Sequence, residues 1–161
     1  MTAEIYEYKG LVYPDYLKRG NAMRFIQAVA LQFCKGEGVD VGANEWPLPG
    51  ARVVEAKVGG DAYSLPGNRW DYVFSSHCLE HLHDPVRALE HWKSKLRSGG
   101  TMFLYLPHPE MEYWLPQNCK KHLHSWYPTQ MKHLVEDVGF ENVLHSDRDM
   151  AWSFSVVGFA P

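Results

Sequence analysis

Two stretches of this chain decide its fold: GVDVGANE, residues 38–45, and DYVFSSHCLEHLHDP, residues 71–85. Each contains a short apolar run, typical of a buried strand, that leads into a turn of small or polar residues. At Gly42 the missing Cβ lets the backbone approach a ligand closely. Glu55 follows a third apolar run, Arg52–Val54, where a carboxylate can accept hydrogen bonds from both hydroxyls of a ribose. The pattern predicts a nucleotide-like cofactor bound across the carboxyl edge of a parallel sheet.

The chain carries five short motifs in a recognisable order: DVG (residues 40–42), Glu55, GDA (residues 60–62), the strand from Asp71 with its LEHLHDP run, and RSGG (residues 97–100). Their order and spacing resemble those of class I S-adenosylmethionine-dependent methyltransferases, and the similarity covers about residues 38–109. One position departs from the family pattern, because Asn44 stands where the family's turn has its second glycine.

This resemblance implies an α/β, Rossmann-like fold, with a mainly parallel sheet, helices on both faces and a C-terminal antiparallel strand pair. It implies S-adenosylmethionine as the cofactor and S-adenosylhomocysteine as its product. The implied reaction is methyl transfer to a small-molecule or polymer-attached acceptor, whose identity the sequence leaves open.

The resemblance also implies a set of cofactor-binding residues: Asp40, Gly42, Ala43, Glu55, Asp61, Ala62, Ser75, Ser76 and His77. Gly42 and Ala43 would pass close to the methionine part of the cofactor, and Glu55 would bind the ribose. Asp61 and Ala62 would lie at the edge of the adenine. Ser75, Ser76 and His77 would lie at a strand end beside the sulfonium.

The rest of the chain alternates strand and helix patterns. Strands are predicted at Gly38–Val41, Arg52–Val54, residues 72–75 and residues 101–106, with a closing antiparallel pair at residues 142–147 and Ser153–Phe159. Helices are predicted at residues 21–36, capped by Asn21, at residues 85–97, capped by Asp84, and at residues 129–138, ended by Gly139. This alternation predicts a mainly parallel sheet covered on both faces. By resemblance, we expect about six or seven strands.

Methyltransferases of this class usually place a full helix between the glycine turn and the acid that binds the ribose. Here the intervening segment is EWPLPGA, residues 45–51, and its two prolines and glycine exclude a helix. We therefore expect a short loop over the cofactor, with Trp46 or Leu48 as a flap. Residues 56–60 are too short and glycine-rich to predict a strand.

We predict a single methyltransferase-like domain over residues 1–161, with a covering segment and helix in residues 1–36 and an α/β core in residues 38–161. Four tyrosines lead into the first helix: Tyr6, Tyr8, Tyr13 and Tyr16. Aromatic side chains cover a core more often than they gate a site, so we favour a covering role over a lid.

Composition restricts the class of protein. At 161 residues, with 45% hydrophobic and 22% charged residues, the chain has the size and balance of one globular domain. A net charge of −3 argues against a nucleic-acid partner, which would need a basic face. The sequence has neither a membrane-spanning apolar run nor the pattern of a signal peptide. Three scattered cysteines suit a reducing compartment, so we expect a cytoplasmic enzyme without a membrane partner. The oligomeric state stays open.

Four of the nine histidines are candidates for a catalytic base: His77, His108, His122 and His124. All four follow predicted strands or lie in later loops, where this fold exposes the carboxyl edge of its sheet. A hydroxyl acceptor would need a base that titrates near neutrality, and histidine has the suitable unperturbed pKa. His77 is the nearest of the four to the expected sulfonium.

The run HCLEH, residues 77–81, matches the H-x-x-E-H pattern of inverted zinc peptidases, in which two histidines bind zinc and the glutamate is the base. That chemistry requires a helix, and Pro85 together with the preceding strand leaves little room for one. We therefore interpret Glu80, His81 and Leu82 as turn and packing residues and expect no metal.

Two alternatives to an active methyltransferase stay open at this point. A non-catalytic module that binds S-adenosylmethionine or S-adenosylhomocysteine is the main one, because the missing helix and Asn44 would weaken the site. A zinc hydrolase, based on HCLEH alone, is the remote one.

Overall fold

The computed structural model describes residues 5–14, 20–56 and 60–161. A hairpin of β1 (Ile5–Tyr8) and β2 (Leu11–Pro14) comes first. The strands of the main sheet are β3 (Gly38–Val41), β4 (Arg52–Val54), β5 (Trp70–Ser76), β6 (Leu96–Pro107), β7 (Glu141–His145) and β8 (Ser153–Phe159). The helices are α1 (Met23–Phe33), α2 (Pro85–Lys95) and α3 (Pro128–Val138), with single 3₁₀ turns at Leu79–His81 and Glu112–Trp114.

Within the described residues the main sheet has six strands in the order β4-β3-β5-β6-β8-β7. The first four strands are parallel, and β8 pairs antiparallel with both β6 and β7. The predicted fold class is confirmed, including the antiparallel C-terminal pair. Because β3, β4 and β5 are parallel neighbours, their carboxyl ends meet at one edge of the sheet.

Hydrophobic clusters cover both faces of the sheet. On one face, Trp92 of α2 and Val135 of α3 are fully buried against β6 and β8. On the other face, Ala30 of α1 packs with Phe103, and Tyr13 of the hairpin belongs to the same cluster. The sheet is thus enclosed on both sides, as parallel strands require.

The helix ends follow local chemistry. The Asp84 side chain accepts a hydrogen bond from the Arg87 amide at 3.0 Å, so the predicted cap of α2 is confirmed. This helix ends at Lys95, earlier than predicted, because Leu96 is already extended and begins β6. The predicted Asn21 cap is wrong, since Ala22 precedes α1 and no side chain caps that helix.

The hairpin was not predicted. Its turn residues, Lys9 and Gly10, have φ of 51° and 78°, as a tight hairpin turn requires. Tyr13 is 2% exposed and packs against Trp152 with ring centroids 5.2 Å apart. This burial fits a covering role. Tyr16 and the side chain of Tyr6 lie outside the described residues.

The segment between β3 and β4 is a loop without a helix, as predicted. Leu48 is fully buried, and its amide donates a 2.7 Å hydrogen bond to Oδ2 of Asp40. Leu48 is therefore a core residue and not a flap, whereas Trp46 is 39% exposed. Of the segment predicted to lack a strand, residues 57–59 lie outside the described part of the chain.

None of the helices in the described ranges has the length and hydrophobicity that a bilayer crossing requires.

Truncation of Leu48 tests its assignment to the core. We expect Leu48→Ala to lower the free energy of unfolding by about 2–5 kcal/mol, because it removes a fully buried side chain. Leu144→Ala, at a position that is 53% exposed, is the control and should change it by about 0.5 kcal/mol or less. Urea unfolding measures both. Equal stability of the two variants would mean that Leu48 is a mobile flap.

Candidate active site

Two cavities lie side by side at the carboxyl edge of the sheet, and both are lined by Gly42. The first has a volume of about 320 Å³ and is lined by residues that follow β3 and β5, together with the loop that contains His122. The second has a volume of about 220 Å³ and lies between the end of β4, which precedes Glu55, and Cys78. An elongated ligand that extends from one cavity to the other would pass Gly42.

A positive φ and close packing against the Cys78 side chain favour glycine at this junction. Gly42 has a φ of 78°, and a Cβ there would lie 2.5 Å from Sγ of Cys78. Its amide donates to the Val54 carbonyl at 2.8 Å, which fixes the turn against β4. Asn44 has a φ of 52°, so it adopts a left-handed conformation, which glycine and asparagine tolerate better than other residues. Its amide lies 3.2 Å from Oε2 of Glu55.

The first cavity contains buried polar atoms that are not satisfied by the protein. Among the described residues, no hydrogen-bond partner reaches Oδ1 of Asp40 or Oγ of Ser76. Both residues line this cavity. A buried polar atom without a partner carries a desolvation cost that a bound ligand can remove. These two atoms therefore fit a ligand that brings hydrogen-bond donors.

Burial also changes the acidity of Asp40. Desolvation raises the pKa of this carboxyl to about 7; the nearby charge of Glu55 adds to the rise, and the hydrogen bond from the Leu48 amide opposes it. A positively charged ligand group beside Oδ1 would favour the ionised form.

The second cavity has mostly apolar walls and two acids at its border. Glu55, Asp61 and Ala62 line it. The Ala62 carbonyl accepts a 2.7 Å hydrogen bond from the Trp92 indole, which ties this wall to α2. Of the residues predicted to bind the cofactor, Ser75 lines neither cavity, because its hydroxyl donates to the Val41 carbonyl at 2.9 Å and joins β5 to β3.

Two of the four candidate histidines line the first cavity, His77 and His122. The Nε2 atom of His77 lies 3.0 Å from the Ser153 hydroxyl, and Nδ1 of His122 lies 2.7 Å from the Trp114 carbonyl. Desolvation lowers the pKa of His77 to about 3 and that of His122 to about 4, and neighbouring imidazoles add to both shifts. Both rings are therefore neutral at pH 7 and weakly basic, which suits the positioning of a substrate better than proton removal.

The other two candidates lie elsewhere. His108 lines a separate cavity, where its ring packs against Tyr127. His124 stacks on Trp126, and its Nε2 lies 2.9 Å from the Leu82 carbonyl. Neither side chain lines the first cavity, so the structure does not bring the four predicted histidines together.

The sequence did not predict that Glu80 and His81 lie beside the first cavity. Leu79–His81 is a single 3₁₀ turn, so HCLEH does not form the helix that a zinc peptidase needs. His81 lines the first cavity, and Glu80 is fully buried behind it. Desolvation raises the pKa of Glu80 to about 8. The HCLEH match drew attention to these residues, but the helix that this pattern requires is absent.

Comparison with known proteins identifies the family. The family described as a methyltransferase domain matches residues 19–145, which is most of the chain. The chain belongs to the methyltransferase-domain family. No curated protein sequence matches this methyltransferase.

Solved structures with the same fold have low sequence identity to this methyltransferase. A SAM-dependent methyltransferase from Thermotoga maritima is 16% identical with a TM-score of 0.66, over 91% of this chain and 97% of that one. One from Archaeoglobus fulgidus is 15% identical with a TM-score of 0.67, over 89% and 97%. Phosphoethanolamine N-methyltransferase 2 from Haemonchus contortus, in complex with S-adenosyl-L-methionine, is 16% identical with a TM-score of 0.56, over 76% of this chain and 38% of that one.

The family match and the shared fold confirm the resemblance to class I S-adenosylmethionine-dependent methyltransferases. The chain is an enzyme of this class, and its cofactor is S-adenosylmethionine. The orphaned acceptors of Asp40 and Ser76 and the turn at Gly42 fit this cofactor, because its amino acid part carries hydrogen-bond donors.

The raised pKa of Asp40 predicts a pH-dependent stability. Between about pH 4 and pH 7 the unfolded chain ionises this carboxyl while the folded chain keeps its proton, so stability falls as the pH rises. Asp40→Asn removes this contribution. We expect the stability of the variant relative to the wild type to rise across this range and to level off above it, at a gain of about 4 kcal/mol by pH 8. Thermal or urea unfolding at several pH values measures the gain, and parallel curves for the two proteins would contradict it.

Proposed function

We propose that this methyltransferase transfers a methyl group to a small-molecule or polymer-attached acceptor that enters the first cavity. The observation that carries the proposal is the pair of unpartnered, buried atoms, Oδ1 of Asp40 and Oγ of Ser76, in a cavity that meets the second one at Gly42. Together the cavities suit an elongated cofactor that is polar at one end and has an aromatic base at the other.

Each part of the cofactor has suitable residues. In the first cavity, Asp40 and Ser76 would hold the amino acid part, with the backbone of Gly42 and Ala43 alongside. In the second cavity, Glu55 would accept hydrogen bonds from the ribose hydroxyls. The apolar wall beside Ala62 would contact the adenine, and Asp61 lies at its edge. Ser75 would act indirectly, by holding β5 in register with β3.

Bound S-adenosylmethionine supplies a methyl group that is already activated for attack, so the protein mainly has to position the acceptor. His77, His122 and Trp114 line the part of the first cavity that is left for it. The rings of His77 and Trp114 pack edge-on with centroids 5.1 Å apart, and the His122 ring is tilted by 34° to the Trp114 ring with centroids 6.4 Å apart. We propose that these rings orient the acceptor, and that His108 and His124 take no direct part.

Two features weaken the argument that the chain is a non-catalytic cofactor-binding module, which was based on the missing helix and on Asn44. Asn44 has a positive φ of 52°, which a glycine in this turn could also adopt, and the loop before β4 supports Asp40 through the buried Leu48. We also propose that residues 1–161 act as one methyltransferase-like domain. A cytoplasmic location stays a proposal, supported by three free cysteines.

Methyl transfer itself can be tested with a mixed metabolite extract and S-adenosylmethionine labelled in its methyl group. The proposal predicts label in one or a few products, and no label with Gly42→Ala, in which the added Cβ meets Cys78. If the wild type binds S-adenosylhomocysteine but transfers label to neither a metabolite nor a polymer, the cofactor-site assignment stands and the proposed acceptor class is wrong.

Glu55→Ala tests the ribose assignment. We expect the variant to lose about 2–3 kcal/mol of affinity for S-adenosylhomocysteine, because a charged acceptor of two hydrogen bonds is removed. Glu45→Ala is the matched control, since Glu45 is exposed and lines neither cavity. Isothermal titration calorimetry measures both affinities. Unchanged binding by Glu55→Ala would mean that the ribose is held by other residues.

A further inference from the structure

A carboxylate and two imidazoles converge beside the first cavity. One potential ligand atom from each of Glu80, His81 and His122 lies within 4.8 Å of the others. Nε2 of His81 is 3.7 Å from Oε1 of Glu80, and the rings of His81 and His122 have centroids 4.6 Å apart. His81 and His122 line the cavity, and Glu80 is fully buried.

Hydrogen bonds determine which ring nitrogen of His81 and of His122 can bind a metal ion. Nδ1 of His81 lies 2.7 Å from the Lys121 carbonyl, and Nδ1 of His122 lies 2.7 Å from the Trp114 carbonyl. A carbonyl can only accept, so both Nδ1 atoms carry the proton. In each neutral ring Nε2 therefore keeps its lone pair. Donation from the second ring nitrogen to a carbonyl is typical of histidines that bind metals.

The loop that carries His122 is held against the 3₁₀ turn. The Glu80 carbonyl accepts from the amides of Leu123 and His124, at 2.8 and 3.3 Å. The hydrogen bond between His81 and Lys121 joins the same two segments. Residues far apart in the sequence are thus brought together by backbone contacts, without any metal being needed to hold the loop in place.

The nearest charged or titratable groups to the Glu80 carboxylate are two imidazoles, with Nε2 of His81 at 3.7 Å and Nδ1 of His77 at 3.9 Å from Oε1, both beyond hydrogen-bond distance. Among the described residues, neither of its oxygens makes a hydrogen bond, although the side chain is completely buried. A buried acid in this state is stabilised by a cation or by a proton. The Nε2 lone pairs of His81 and His122, which lie beside this carboxylate, can bind the same cation.

We propose that Glu80, His81 and His122 bind one divalent transition-metal ion, with zinc as the reference ion. Two imidazoles and a carboxylate form a recognised ligand set for zinc and for other first-row ions, and they favour these over magnesium or calcium. In a tetrahedral zinc site, ligand atoms lie about 3.3 Å apart, so separations of up to 4.8 Å would have to shorten by up to about 1.5 Å to bind the ion.

This site differs from the H-x-x-E-H arrangement. There, both histidines of HCLEH bind the metal and the glutamate is the base, on a helix that is absent here. In the proposed site Glu80 is a ligand, and the second histidine is His122 from the distant loop. The expectation of no metal was based on the missing helix. Three ligands that come from two separate segments can bind a metal without that helix.

A metal ion at this wall would face the acceptor. It would bind an oxygen or nitrogen group of the acceptor and lower the pKa of a bound hydroxyl. The weakly basic His77 does not supply this activation. This consequence rests on the proposed methyl transfer, whereas the metal site itself does not.

Calorimetric titration of the chelator-treated protein with Zn²⁺ tests the site. We expect one Zn²⁺ per chain, and Co²⁺ binding at the same site with the visible absorption of a coordinated ion. Mg²⁺ should bind at least about 100-fold more weakly. His81→Ala, His122→Ala and the isosteric Glu80→Gln should each weaken Zn²⁺ binding by at least about 100-fold, because the loss of an outer partner alone costs about 10–100-fold. His83→Ala, an exposed neighbour, is the matched control and should bind like the wild type.

Three outcomes would overturn the proposal: folded wild type that binds neither Zn²⁺ nor Co²⁺, binding that survives in all three ligand variants, or equal loss in His83→Ala. Circular dichroism checks that each variant is folded. If a variant is unfolded, the Zn²⁺ and Co²⁺ titrations of the wild type still show whether the site exists. S-adenosylhomocysteine binding is measured separately. Metal binding without cofactor binding would support this site and contradict the proposed function. Cofactor binding without metal binding would contradict this site and leave the proposed function supported.

Discussion

The close contact between the end of β3 and the turn after β5 is the constraint on which the site depends. At Gly42 a Cβ would meet the Cys78 side chain at 2.5 Å, so the two parallel strands can end side by side only with glycine there. The space on either side of this contact forms the two cavities. Parallel pairing of β3 with both β4 and β5 brings Asp40, Glu55 and Ser76 to the same edge.

Two buried acids lie at the first cavity, Asp40 in its wall and Glu80 behind His81. Asp40 and Glu80 are 1% and 0% exposed, and desolvation raises the pKa of each, to about 7 and about 8. Groups with such shifts often mark functional sites, because the fold has placed them where a ligand completes their environment. In this enzyme the two acids would face two different positive charges, one on the cofactor and one on the proposed metal ion.

The sequence predicted the parts of the fold that follow local rules. Strand–helix alternation, the cap at Asp84 and the proline-rich loop before β4 gave the correct architecture, because apolar periodicity and backbone restrictions act within a few residues. The hairpin was missed since Lys9 and Gly10 are a weak turn signal without tertiary contacts. Helix α2 ends early because β6 begins directly at Leu96, which pairs with Trp70 of β5.

The site was predictable only in part. The glycine turn, Asp40 and Glu55 follow directly from strand ends, so their positions could be inferred. His81 and His122 come together through a loop whose path depends on hydrogen bonds to the Glu80 carbonyl and from the His81 ring, and no sequence period encodes that contact. For the same reason, Ser75 could not be distinguished from Ser76 until their hydroxyl directions were known.

A crystal structure of the enzyme with bound S-adenosylhomocysteine tests the central claim most directly. The account predicts the adenosine in the second cavity with its ribose hydroxyls on Glu55, the sulfur beside Gly42, and the amino acid part within hydrogen-bond distance of Asp40 and Ser76. Density for the ligand outside these two cavities, or with its ribose away from Glu55, would contradict the account.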